Sequence, residues 1–162
     1  MTLQTMALVA VAAAFGLIVL WRARPAMGGG QRGGFRVAVR SAQARVEAAK
    51  DDASKALALC DAADACALAF GRSSAAVSYY LRAARLDPGS KDVLERALAG
   101  LARKPRALEN YLWRRLGSDP WNEATKPTHT AALRSLGELY DRRLKNHARA
   151  KALVHVADAL KK

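Results

Sequence analysis

The chain has few of the residues from which catalytic and metal sites are usually built. Its 162 residues include two cysteines and three histidines. Cys60 and Cys66 are six positions apart on a predicted helix, about 9 Å along its axis, which is too far for a disulfide bond. The three histidines form no i, i+4 pair, so they do not form a metal-binding pattern. We therefore expect ordinary core or solvent-facing side chains and predict no metal ion or other cofactor.

Sequence patterns typical of enzymes are also missing. The sequence contains no nucleophile elbow and no phosphate-binding loop. The glycine-rich stretch GGGQRGG follows an apolar run rather than a strand, so it does not fit a dinucleotide-binding turn. We expect a protein without enzymatic activity.

Acidic residues are scarce relative to basic ones. The sequence has 27 Lys and Arg against 14 Asp and Glu, a net charge of +13. Such an excess suggests an anionic neighbour, either nucleic acid or a membrane surface. After residue 50 the basic residues are interspersed with acids on most helices, which argues against nucleic acid. Trp113 beside Arg114 and Arg115 is the segment most like a nucleic-acid contact, although packing of Trp113 under the next helix is the preferred interpretation.

The N-terminal residues 2–21 contain no charged side chain. Twenty helical residues span about 30 Å, the thickness of a bilayer's hydrocarbon core. Trp21 stands where an interfacial aromatic residue is expected, and Arg22 and Arg24 follow it. A cleaved signal peptide would need basic residues before the run and a small-residue cleavage site after it. A buried core helix would keep a polar face. The sequence therefore predicts one transmembrane anchor over residues 1–21.

The orientation of this anchor is predicted by the charges that follow it. Residues 22–50 carry seven basic side chains and one acidic side chain. The positive-inside rule then places the N-terminus outside and the C-terminal domain in the cytoplasm, in a bacterial inner membrane or an organelle membrane such as a mitochondrial one. The same basic strip is expected to be attracted to anionic lipid headgroups.

A linker and a basic helix are predicted next. Pro25 and five glycines indicate a flexible linker over residues 22–34. From Phe35 onward, apolar residues recur at helical spacing with arginines on the other faces, which predicts an amphipathic helix over residues 35–52. This helix could lie on the membrane or cover the first helix pair of the domain that follows. The second interpretation is preferred, because small apolar side chains would anchor weakly in lipid.

A repeated pattern of small and aromatic residues follows. Ala76, Tyr80, Ala83 and Pro88 have the spacing A-x3-Y-x2-A-x4-P. This spacing resembles the second helix of a tetratricopeptide repeat, in which small residues let two helices approach and an aromatic residue fills the gap. Ala83 is therefore predicted at a close helix contact, whereas Ala84, one position on, is predicted to face differently.

The same resemblance recurs further along the chain. Leu133, Leu136, Gly137 and Tyr140 resemble the signature of a first helix, and the segment 150–157 has the small-residue spacing of a second helix. A middle unit around Ala107-x3-Tyr111 is shorter, with Arg114 where a small residue is usual. The resemblance implies an all-α chain in which a three-repeat helical solenoid occupies residues 53–162. Its units are about residues 53–89, 91–120 and 128–162.

The resemblance also implies a binding surface. Tetratricopeptide repeats bind peptides or proteins in a groove lined by the first helix of each unit. The corresponding positions here are Ala58, Asp61, Ala65 and Leu68, then Asp92, Glu95, Ala99 and Ala102, then Ala131, Arg134, Glu138 and Asp141. This face is mildly acidic, which favours a basic or amphipathic helix as the partner. These carboxylates could equally be ordinary solvated helix residues.

Two functions are compatible with this layout. The chain resembles membrane-anchored tetratricopeptide receptors and assembly factors, such as the small presequence receptor of the mitochondrial outer membrane. That resemblance implies an adaptor or scaffold that holds a protein partner at the membrane. The alternative is a permanent accessory subunit of a larger membrane complex. The glycine-rich linker favours the adaptor, and the degenerate repeats favour the subunit.

Overall fold

A computed structural model describes residues 29–69 and 71–160 of the chain. These residues form α-helices and turns with no strand among them, which confirms the predicted all-α class for this part of the chain. The helices are α1 (Gly29–Ala48), α2 (Asp52–Leu68), α3 (Ser73–Leu86), α4 (Lys91–Leu101), α5 (Pro105–Ser118), α6 (Lys126–Arg142) and α7 (His147–Ala159).

The predicted membrane segment is not part of this description. The anchor over residues 1–21, the interfacial residues Trp21, Arg22 and Arg24, and the linker up to residue 28 lie outside the described residues. Within the two described ranges, no helix combines the length and the apolar character needed to cross a bilayer.

Local chemistry explains where several helices begin. The carboxylate of Asp51 accepts a hydrogen bond of 2.7 Å from the backbone N–H of Ser54 and caps α2. Ser90 caps α4 in the same way, and Pro105 occupies the first turn of α5, where no N–H is needed. Between α2 and α3, Gly71 has φ +72°, a left-handed conformation that favours glycine. Helix α2 ends at Leu68, so Gly71 lies in the turn rather than at the helix cap.

Two consecutive helix pairs dominate the packing, whereas α4 and α5 contact each other less than α4 contacts α2 and α5 contacts α3. The most extensive contacts join α2 to α3 and α6 to α7. The first helices also touch in series, since α2 contacts α4 and α4 contacts α6. Among the second helices, α3 contacts α5. The compact unit from Phe35 to Lys162 is therefore built from helices that mostly contact their neighbours in the chain.

Small residues and tyrosines occupy the centre of this packing. Ala76, Tyr80 and Ala83 are fully buried, as their spacing predicts. Ala84 is also fully buried, so the prediction that Ala84 faces away from the close helix contact is wrong. The reason is that α3 packs against α2, α4 and α5, which cover more than one side of the helix. In the last pair, a Cβ at Gly137 would lie 3.0 Å from Val154, so α6 and α7 approach closely there.

Helix α1 covers the first helix pair. It begins at Gly29, inside the predicted linker, and ends at Ala48, four residues before the predicted end of the helix at residue 52. Ala42 is fully buried, and Phe35, Val39 and Val46 pack against the core. The apolar side of α1 therefore faces protein rather than lipid. This burial also stabilises the helix, which offsets the low helix propensity of its glycines.

Candidate protein-interaction face

The residues predicted to line the groove differ in exposure. We call these twelve residues, four from each unit, the first-helix face. Leu68 is 91% exposed, and most of the α4 and α6 members are also exposed. Asp61, Ala65, Ala131 and Arg134 are half-buried. Ala58 is buried, which corrects its assignment to a solvent-facing groove, because Arg45 and Arg96 cover this side of α2 at Asp61, one turn away.

Asp61 is held between two arginines rather than left open to a partner. Arg96 Nη2 lies 2.6 Å from Asp61 Oδ1, and Arg45 Nη1 lies 2.8 Å from Asp61 Oδ2. Arg96 also donates to Asp64, through Nη2 and through Nε at 3.2 Å. These ion pairs tie α1, α2 and α4 together. The negative charge predicted for the first unit of the face is therefore balanced within the protein.

Tyr80 completes this group, which we call the Arg96 cluster (Arg45, Asp61, Asp64, Tyr80 and Arg96). The Tyr80 hydroxyl donates a hydrogen bond to Asp64 Oδ1. Burial raises the pKa of Tyr80 well above its ordinary value, and the bond to Asp64 raises it further, so the phenol keeps its proton. A Cβ at Gly100 would overlap the Tyr80 hydroxyl and lie 3.2 Å from its Cζ. Glycine at position 100 therefore allows α4 to pass over the tyrosine.

The carboxylates of the second and third units are more open. Glu95 Oε1 lies 3.3 Å from Lys91 Nζ, and both side chains are exposed. Asp92 and Glu138 are exposed and form no ion pair within the described residues. Exposed ion pairs contribute little to stability, so these carboxylates are accessible to a partner. The predicted acidity of the face is thus found on α4 and α6, but not on α2.

In the last unit, two face residues form polar contacts with α7. Arg134 Nη2 lies 2.5 Å from Asp158 Oδ1, and Asp141 Oδ1 lies 2.6 Å from His147 Nδ1. An open cavity of about 420 Å³ adjoins Ala131 and Arg134. Its wall also includes Lys126, Pro127, Thr130 and Leu160, so a concave and largely apolar surface lies beside two basic side chains, Lys126 and Arg134.

Trp113 joins α5 to α6. Its Nε1 donates a hydrogen bond of 3.2 Å to the Tyr140 hydroxyl, which donates in turn to Glu109 Oε1 at 2.6 Å. The hydrogen bond from Tyr140 lowers the pKa of Glu109 below its ordinary value, so this carboxylate stays ionised. Because the indole N–H already has a partner, Trp113 is a packing residue at the junction of two helices. Part of its ring remains exposed.

Arg115, which the sequence places in the basic segment beside Trp113, is buried in the middle unit. Arg115 Nη1 donates to the Tyr111 hydroxyl at 2.9 Å, and Nη2 donates to the Pro88 carbonyl at 3.0 Å. Its Nε lies 3.2 Å from Asp119 Oδ2. Arg115 therefore connects α5 to the turn between α3 and α4. The only sequence signal was the i, i+4, i+8 spacing of Tyr111, Arg115 and Asp119.

Both cysteines and one histidine, His129, lie in the protein interior. Cys60 and Cys66 are buried free thiols, and burial raises the pKa of Cys60 to about 11. His129 is buried and stacked on Trp121, with ring centroids 4.2 Å apart. In residues 29–69 and 71–160, no group of three or more His, Cys, Asp and Glu side chains is arranged to hold a metal ion.

Comparisons with known proteins do not assign the chain to a family. No family model, no curated protein and no solved structure matches it.

Proposed function

We propose that this chain is a membrane-anchored, non-enzymatic scaffold that holds a protein partner at the membrane. The observation that carries the proposal is the series of contacts from α2 to α4 to α6, which places three first helices side by side. Exposed side chains on these helices, among them Leu68, Asp92 and Glu138, are available to a partner.

The proposal includes a tetratricopeptide-like solenoid of three helix pairs. It is supported by the pairing of α2 with α3 and of α6 with α7, and by the contacts between successive first helices. The burial of Tyr80 and Ala83 and the close approach at Gly137 also agree with the repeat pattern. The middle pair departs from the pattern, since α4 and α5 contact each other less than the other pairs do, and a buried arginine, Arg115, stands on α5.

The proposed partner is a basic or amphipathic helix that contacts mainly the second and third units. Asp92, Glu95 and Glu138 supply accessible negative charge, whereas Asp61 is already paired with two arginines. Complementary charge of this kind speeds encounter and selects partners more than it adds affinity. The cavity beside Ala131 provides an apolar surface for the uncharged side of an amphipathic helix.

Photo-crosslinking tests this face directly. A photoreactive residue is placed at Ala99 or Glu138 in the full chain, in its native membrane, and at Ser78 or Arg85 on α3 as matched controls; all four positions are exposed. We expect the same partner protein to crosslink from Ala99 and Glu138 and not from the α3 positions. Crosslinks confined to α3, or unrelated partners at the two face positions, would contradict the proposal.

The anchor is the second part of the proposal and rests on residues 2–21 of the sequence. We propose an N-terminus outside and the domain on the cytoplasmic side, in a bacterial inner membrane or an organelle membrane. A cysteine at Thr2 should react with an impermeant reagent in intact cells or organelles, while one at Ser78 stays protected. The opposite labelling would reject the orientation, and a mature N-terminus near residue 27 would reject the anchor.

A second candidate function is a permanent accessory subunit of a membrane complex. It is favoured by Val154 and Val156, two apolar side chains exposed on α7, outside the first-helix face. Purification of the full chain in mild detergent separates the two functions. A subunit would copurify with a fixed set of membrane proteins in constant stoichiometry, whereas an adaptor would lose its partner on dilution.

A further inference from the structure

The first helices carry almost none of this protein's net positive charge. The first helices α2, α4 and α6 carry nearly equal numbers of acidic and basic residues. Helix α3 carries Arg82 and Arg85 and no acidic residue, and α1 carries one acidic residue, Glu47. Among the described helices, the net positive charge therefore lies on α1 and on the second helices rather than on the first helices.

Four exposed arginines of α1 and α3 form one surface, which we call the basic patch: Arg36, Arg40, Arg72 and Arg82. Contacts between the helices show that it is continuous. The Arg72 guanidinium lies 5.7 Å from the centre of the Phe35 ring, and Gln43 Nε2 donates to the Tyr79 hydroxyl at 3.2 Å. Helices α1 and α3 therefore run in the same direction, side by side.

The arginines of the basic patch have no partner of opposite charge among the described residues. Arg36 and Arg40 are one turn apart on α1, so they point to the same side. Val37 lies beside them and is 67% exposed. Arginines around an exposed apolar side chain match the headgroup region of a bilayer, where the charges meet phosphates and the apolar group enters the acyl boundary.

We propose that the basic patch docks on anionic lipid headgroups and so orients the domain with its first-helix face away from the bilayer. The proposal rests on the membrane attachment given under Proposed function, because the apolar run ends only fourteen residues before Phe35 in the sequence. Nucleic acid fits this surface less well. Single strands bind by stacking bases on aromatic faces, but Arg72 covers the Phe35 ring and Arg82 lies 5.9 Å from the Tyr79 ring centre.

The test uses the full chain reconstituted in vesicles of neutral phosphatidylcholine, with or without about one third phosphatidylglycerol, an anionic lipid that attracts basic residues. An environment-sensitive dye is attached to a cysteine placed at Ser78, one turn from Arg82, or at Ala99 on α4. The native thiols are buried, so the dye labels the new cysteine. We expect the Ser78 dye to report lipid proximity in anionic vesicles only, and the Ala99 dye to report none in either.

Substitution of the arginines gives the specific prediction. Each exposed arginine near an anionic surface contributes about fivefold to the docked-to-undocked ratio. The triple variant Arg36→Gln, Arg40→Gln, Arg82→Gln should therefore lower that ratio by about a hundredfold, and 0.5 M salt should also lower it strongly, because the Debye length falls to about 4 Å. A control triple, Arg114→Gln, Arg142→Gln, Arg143→Gln, removes the same charge from other exposed positions and should retain docking.

The outcomes separate this proposal from the proposed function. Flotation with neutral vesicles tests the anchor, and crosslinking from α4 and α6 tests the partner face; neither depends on the basic patch. Equal losses in the two triple variants would overturn lipid docking by the patch. So would an unchanged Ser78 signal in anionic vesicles, or binding of RNA with the same arginine dependence and no response to lipid.

Discussion

Arg115 Nε lies 3.2 Å from Asp119 Oδ2, and both side chains are buried at the end of α5. The same arginine donates to the carbonyl of Pro88, in the turn between α3 and α4. Burial raises the pKa of Asp119 above its ordinary value, while the neighbouring Arg115 opposes that shift. One charged side chain therefore connects the first and second helix pairs.

Loss of Arg115 should destabilise the protein strongly. Arg115→Met would leave Asp119 buried without its cation and would free the Pro88 carbonyl, so the free energy of unfolding should fall by about 3–5 kcal/mol. Arg114→Met is the matched control, because Arg114 is the exposed neighbour on the same helix. Urea unfolding of the two variants gives the comparison. A similar loss in both would mean that Arg115 is not the buried residue.

The contact between Gly100 and Tyr80 gives a second prediction. Gly100→Ala would place a Cβ against the Tyr80 hydroxyl and should lower the free energy of unfolding by about 1–3 kcal/mol. Gly117 has open space around it, so Gly117→Ala should instead stabilise α5 by about 0.5–1 kcal/mol. Thermal unfolding of the two variants should therefore shift in opposite directions. Equal shifts would reject the close passage of α4 over Tyr80.

A third prediction concerns the two central alanines of α3. Ala83 and Ala84 are both fully buried, so leucine at either position should overpack the core and cost about 1–3 kcal/mol. Arg85→Leu, at the exposed position next in the chain, should change the free energy of unfolding by less than about 0.5 kcal/mol. If Ala84→Leu behaved like Arg85→Leu, the packing of α3 on three helices would be wrong.

His129 should make stability depend on pH. It is buried against Trp121, and neither ring nitrogen has a hydrogen-bond partner within the described residues. Burial lowers the pKa of His129 below its ordinary value of 6.5, the nearby Asp119 carboxylate opposes this shift, and Arg115 adds to it. Below pH 6.5 the unfolded chain therefore binds a proton that the folded chain does not, and stability falls as pH decreases.

The substitution His129→Phe tests this account, because it keeps a ring against Trp121 and removes the titration. Between pH 7.5 and 5.5, the wild-type free energy of unfolding should fall more than that of the variant, by up to about 1.4 kcal/mol per pH unit. Urea unfolding followed by tryptophan fluorescence measures both. Parallel pH profiles would show that His129 does not contribute.

Much of the helix pattern could be predicted because it depends on local sequence. The spacing of Ala76, Tyr80 and Ala83 predicted α3 and its buried stripe. The prolines of the stretch GSDPWNEATKPTHT, residues 117–130, predict a loop there, but the loop is shorter, because α5 continues to Ser118 and α6 begins at Lys126. These signals follow from backbone geometry and need no knowledge of distant residues.

The electrostatics of the face could not be predicted, because they depend on residues far apart in the chain. Asp61 was assigned as an open carboxylate, but Arg96 and Arg45 bind it from other helices. The helical spacing of Arg115 with Tyr111 and Asp119 is the only sequence feature that distinguishes it from the exposed Arg114, and that spacing does not identify its contact with the distant Pro88 carbonyl. Likewise, helical spacing places Ala84 beside Ala83 but does not indicate how many helices surround α3.

The most direct test of the proposed function is charge reversal on α4. In the full chain, with the photoreactive residue at Glu138, Asp92→Lys and Glu95→Lys are introduced together, and Glu47→Lys with Glu123→Lys serves as a control of equal charge. The proposed function predicts that the crosslinked yield falls only in the Asp92/Glu95 variant. The loss should grow as salt is lowered, while thermal stability stays nearly unchanged. An undiminished yield at low salt would contradict partner binding by the acidic first-helix face.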